Sequence, residues 1–206
     1  MMTRSVSVLA VASLLLSGCL CQTSVHPFVP EAEAIDVPGI DGLWVETGDD
    51  NPPSTLEIRR ADNGRMRRLM VGELGETTTE AFRLAIGRVG DSLVWDMIPE
   101  SGEGLADQQR LPLHTLARLE LEGDRLEVAF LDAEWVSSHC LRGDLDLEHL
   151  RLVDDAGEAQ DDDLVILTGL TPDLRGFIEE VLDIDEAFGE ADVFVRRPPG
   201  GPQAHE

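Results

Sequence analysis

Apolar and polar residues alternate in short runs through most of this chain, and turn residues separate the runs. Thr55-Leu56-Glu57-Ile58-Arg59 has one apolar and one wet face, as a half-buried strand requires. Phe82, Leu84 and Ile86 repeat that period within 81–88, and Leu93, Trp95 and Met97 repeat it after a turn at Gly90-Asp91. Ala117, Leu119 and Leu121 alternate with Arg118 and Glu120. Glu122-Gly123-Asp124 then turns the chain, and Leu126, Val128 and Phe130 carry the period on. Asp62-Asn63-Gly64 predicts a hairpin between 55–59 and a return strand over 66–71, because Asn-Gly accepts positive φ. Shorter runs at 40–45, 147–152, 164–167 and 192–197 complete a set of about ten strands.

Two segments change to the helical period. Asp132 stands as an N-cap before a short helix over 133–141 that carries Trp135. Thr171-Pro172-Asp173 opens a second helix, with Thr171 as cap, Pro172 at the first helical position and Asp173 at the positive end of the dipole. Its residues Leu174, Phe177, Ile178, Val181 and Leu182 form one apolar stripe. Successive hairpins with a wet face predict a mainly β (α+β) fold: an antiparallel meander that closes into a barrel-like or strongly curved sheet, with two short helices. Closure removes exposed edges. The pattern does not choose between a hollow and a filled barrel.

The amino-terminal segment follows neither period. Arg4 precedes an apolar stretch, Ser5 to Leu16, that is too short for a membrane-spanning helix of about 20 residues and reads as an export signal. Leu16-Ser17-Gly18-Cys19 resembles a bacterial lipobox. That resemblance implies cleavage before Cys19 and acylation of the cysteine, which makes the protein a bacterial envelope lipoprotein anchored by covalent lipid. Leu20, where an Asp would resemble an inner-membrane retention signal, points to the outer membrane in preference to the inner. Residues 1–18 then form the signal peptide. Residues 19–40, broken by Pro27, Pro30 and Pro38, form a flexible tether. A single β-rich domain spans 41–198, and 199–206 form a disordered tail.

Charge narrows the partners. The formal net charge is −25, and Lys is absent, so every basic side chain is Arg or His. A nucleic acid partner is excluded, because phosphate binding needs a basic patch. Repulsion from an anionic surface is expected to hold the domain off the membrane beyond its lipid anchor. Cys21 and Cys140 either pair in an oxidising compartment or stay apart, as a mobile tether residue and a buried thiol.

Gly42-Leu43-Trp44, near the expected domain start, resembles the Gly-x-Trp signature of lipocalins and related calycin barrels. The resemblance implies a barrel with an apolar pocket, one end closed by the Trp, and an Arg from the last strand stacked on the indole. Arg196 or Arg197 stands in the matching place. The chain departs from that pattern in its surplus of strands and in a helix between the late ones. Residues 118–194 also resemble parts of uncharacterised bacterial exported proteins, a likeness that carries no activity.

Chemistry-bearing residues converge poorly. His139 and Cys140 are adjacent, so their side chains diverge, and no Gly-x-Ser-x-Gly elbow occurs. The five His residues show no paired metal spacing. Asp144, Asp146 and Glu148 would share one strand face and are weak calcium candidates, or else a solvated acidic surface. No cofactor and no metal is expected. The reading is an envelope lipoprotein with a non-enzymatic binding module for a small apolar ligand or a partner protein. The alternatives are a structural or assembly lipoprotein acting by protein contacts, and a divergent enzyme. Trp44, Trp95, Trp135 and Phe177 are expected either to line the interior for a ligand or to serve as plain core.

Overall fold

The alternation becomes a closed wall. The computed structural model describes residues 21–48, 52–61, 64–75, 79–100, 111–152 and 164–198. The first strands are β1 (Thr23–Ser24), β2 (Gly42–Glu46), β3 (Ser54–Arg60), β4 (Arg67–Glu73), β5 (Thr79–Val89) and β6 (Ser92–Pro99). They are followed by β7 (His114–Glu122), β8 (Arg125–Phe130), helix α1 (Ala133–Arg142), β9 (His149–Arg151) and β10 (Val165–Leu167). Helix α2 (Thr171–Val181) and β11 (Asp192–Arg196) complete the chain.

Strands β2 to β8 pair in sequence, all antiparallel, and β11 closes the ring between β8 and β2. The result is an eight-stranded barrel. Its up-and-down order puts the β3–β4, β5–β6 and β7–β8 hairpins at one end. The β2–β3, β4–β5, β6–β7 and β8–β11 connections leave from the other end, which we call the mouth. Every second residue of each strand faces inward, so Leu56, Ile58, Leu84, Ile86, Leu126 and Val128 join one buried cluster inside the ring.

A three-stranded annex of β1, β10 and β9 extends the wall beyond the mouth. Strand β1 lies on β7 where β8 leaves it, then β10 pairs parallel with β1 and β9 antiparallel with β10. Helices α1 and α2 cover the outer side of the barrel, and a second buried cluster fills that layer. Leu116, Val136, Leu174, Phe177 and Ile178 belong to it. Among the described residues no helix is long and apolar enough to cross a membrane.

Asp132 caps α1 as the sequence predicts: its Oδ1 accepts the Trp135 backbone N–H at 2.7 Å. Thr171 does not cap α2. The helix takes Leu170 as its N-cap, and the Thr171 hydroxyl instead donates to the Pro27 carbonyl, 2.8 Å away.

The expectation of a flexible tether fails over its described part, 21–40. Gln22 and Ser24 are fully buried, and Phe28, Val29, Ala34, Val37 and Ile40 are core residues. The segment is a strap. It runs from the mouth along the outside of β5 and β6 and then tucks under the hairpin end. The Val29 N–H donates to Asp96 Oδ2 at 3.0 Å, and Ile35 N–H donates to the Ile86 carbonyl at 2.8 Å. A Cβ at Gly87 would sit 2.8 Å from Val29 Cγ1, so only glycine admits the strap this close to β5. The apolar side chains of the strap are real but aperiodic, because it makes almost no regular secondary structure. The expected signal peptide, Cys19 and the expected tail from 199 onward lie outside the described residues.

Candidate functional site

At the hairpin end, Trp44 is fully buried, and its Nε1–H donates to the Ile40 carbonyl at 2.9 Å. The Arg196 guanidinium lies 4.3 Å above the Trp44 ring, the stacking expected for an Arg of the last strand. Arg196 also donates to the Asp41 carbonyl at 2.7 Å and pairs with Asp124 at 3.1 Å. Arg197 instead gives its backbone N–H to the Leu43 carbonyl. Gly42 has φ +150°, and a Cβ there would stand 2.6 Å from Arg196 Nη1. Gly and Arg are thus two parts of one contact. Beside them the buried Arg67 pairs with Asp36 and, at 3.0 Å, with Asp41. Arg60 donates to both Asp36 oxygens at 2.8 Å. Hydrogen bonds from Arg60, and then from Arg67, hold the Asp36 carboxyl below its ordinary pKa of 3.8. This end is sealed.

The interior is filled as well. Leu56, Leu69, Val71, Trp95, Met97, Val128, Phe130 and Phe194 surround a cavity of about 10 Å³. That is room for roughly one water, against about 300–1,000 Å³ for a ligand pocket. An eight-stranded ring is just wide enough for its own side chains to fill, and two Trp and two Phe do so here. Trp95 packs on Phe130 with ring centroids 5.9 Å apart. Its Nε1–H is buried with no hydrogen-bond partner.

Trp135 and Phe177 do not line the interior, a correction to that option. Both sit on the helices outside the ring. Trp135 stacks on His139 at 3.9 Å between ring centroids, and Phe177 is part of the layer under α2. Cys21 and Cys140 are not bonded to one another. Cys140 carries a free thiol on α1 in the outer layer, whereas Cys21 packs against the inner cluster at the mouth. Burial pushes the Cys140 thiol up to about 11, which keeps it protonated and unreactive at neutral pH. Asp144 pairs with Arg142 at 3.0 Å. Among the described residues no group of three or more His, Cys, Asp or Glu side chains is placed to hold a metal ion, so Asp144, Asp146 and Glu148 are not brought together as ligands.

What the annex does create is a groove that sequence reasoning missed. The loop from α1 to β9 runs alongside α2 and leaves an open trough of about 550 Å³. Leu145, Leu147 and Phe177 contribute apolar lining, and Asp146, Glu148, Asp173 and Glu180 supply four carboxylates. Among the described residues none of the four has an ion-pair partner. Gly176 lies in the trough with open space where a Cβ would be, so the missing side chain keeps it wide. The only sequence signal for this was a glycine inside an otherwise well-formed helix, where it costs about 1 kcal/mol relative to Ala.

No family model matches the chain, and neither a curated protein nor a solved structure matches it.

Proposed function

We propose that this chain is a lipid-anchored envelope protein whose barrel is a solid scaffold and whose binding is done on its surface, toward a partner protein. The observation that carries this reading is the filled interior. A cavity of about 10 Å³ cannot take an apolar ligand without opening the core, and the hairpin end is sealed by Trp44 and Arg196. Binding then falls to the outside, and the trough between α2 and the α1–β9 loop is a concave face able to take it. Four carboxylates without ion-pair partners among the described residues, beside apolar lining, complement a basic segment with apolar residues between its charges. The chain's overall charge of −25 would steer such a partner inward.

A synthetic amphipathic Leu/Arg peptide tests this by calorimetry on the full mature protein. Binding is expected to weaken with salt and to be lost in Gly176→Leu, which fills the trough with no contact in its way. Binding unchanged by Gly176→Leu, or by Asp173→Asn with Glu180→Gln, would remove the trough from the reading.

A further inference from the structure

We infer that the domain sits directly on the bilayer, mouth side down, with the helix-free face of the annex, which continues the inner wall of the barrel past the mouth, touching lipid. This rests on the lipid-anchor reading of Cys19 and deepens it. The first described residue, Cys21, already packs in the fold, and Gln22 is fully buried with its amide donating to the Val165 carbonyl at 3.0 Å. The acylated cysteine is two residues away, a reach of about 7 Å. No spacer is left to lift the domain.

The flap of sheet beside the anchor carries exposed apolar side chains. Residues Thr115, Thr23, Ile166 and Leu150 face one another in register across β7, β1, β10 and β9, so they share one face of the sheet. Adjacent strands lie about 4.8 Å apart, which puts the β9 row roughly 10 Å from β1. Leu150 and Leu152 share that face by alternation and are 58% and 45% exposed. The opposite face, with Ser24, Val165 and Leu167, is buried against the helices. The exposed leucines therefore project from the same flap of sheet that the anchor enters. A lipid surface is the occupant that the anchor must hold there. The inference departs from the expectation that charge keeps the domain off the membrane, because the anchor has no spacer.

The test uses acylated full-length protein in phosphatidylethanolamine vesicles with a minor share of phosphatidylglycerol. An environment-sensitive fluorophore is placed at Leu150→Cys, or at Asp91→Cys on the β5–β6 turn at the far end. Native Cys21 is replaced by Ser, and Cys140 is protected by its burial. Intact mass establishes the acyl chains first. With the chains present, the label at 150 is expected to shift to the blue and to lose most of its intensity to a lipid-borne quencher, while the label at 91 keeps its own. Equal, weak quenching at both sites in acylated protein overturns the inference and leaves the anchor reading intact. An unmodified Cys19 removes the anchor reading and the inference with it. A blue shift at 150 without vesicles that grows with protein concentration assigns the face to a second copy instead, and also overturns it.

Discussion

At the scale of single residues, Gly42 and Arg196 define the sealed end. Gly42→Ala forces a Cβ into Arg196 Nη1 and strains a backbone at φ +150°. The expected cost is about 1–3 kcal/mol. Arg196→Ala loses the stacking on Trp44, about 0.5–2 kcal/mol, together with the bond to the Asp41 carbonyl. The two changes share one contact, so the double variant should be clearly more stable than the sum of the singles allows. Urea melts of the four proteins check this, and simple additivity would mean that the glycine serves backbone geometry alone. Asp36 makes a second case. Its folded pKa is held below 3.8 by hydrogen bonds from Arg60 and then Arg67, so its contribution is present above that value and lost as pH falls through the folded pKa. Asp36→Asn is expected to be the less stable protein at neutral pH. The gap should close steadily below about pH 4. A gap that persisted into strong acid would show that shape, not charge, had been removed.

At the scale of elements, the helix entries separate two jobs that look alike in sequence. Asp132→Ala removes a true cap and should cost about 0.5–2 kcal/mol. Thr171→Val leaves α2 as it is but cuts the bond to Pro27, so its effect should appear in the strap, as faster amide exchange at Phe28 and Val29. Exchange quickened within α2 itself would return Thr171 to the role of cap. The same contrast explains what the sequence could tell. Period-two runs such as Leu56/Ile58 and Leu126/Val128 were legible because each strand buries one face, and Asp132 because a cap acts three residues away. The pull of Pro27 on Thr171 was not legible, since the partner lies 144 positions off. The strap stayed hidden for a related reason: Phe28, Val29, Val37 and Ile40 bury themselves one at a time, in no helix or strand. The Trp44–Arg196 contact was legible as a pair of ends; the trough was not, because its walls come from two elements that only the annex brings together.

At the scale of the whole molecule, charge opposes compaction. A net −25 on one chain repels itself, and 16 Arg are too few to pair with 41 acids one to one. Screening shortens to about 10 Å at 0.1 M salt and about 3 Å at 1 M. The melting temperature should therefore climb with sodium chloride and equally with choline chloride, since the effect is one of ionic strength. Calcium chloride at matched ionic strength is expected to add nothing further, because no three ligating side chains converge among the described residues. An extra rise with millimolar calcium would mean that the acids form a site after all, and would reopen the reading of Asp144, Asp146 and Glu148. The same screening bears on the membrane. If Cys19 is acylated, its short reach brings an acidic domain against headgroups, some of them anionic. If Leu150 and Leu152 rest in lipid, salt lowers the one force working against them, so the quenching of a label at position 150 should deepen as sodium chloride is raised. A domain held away from the bilayer would show little quenching at any salt concentration, because without apolar contact nothing but the anchor draws it down.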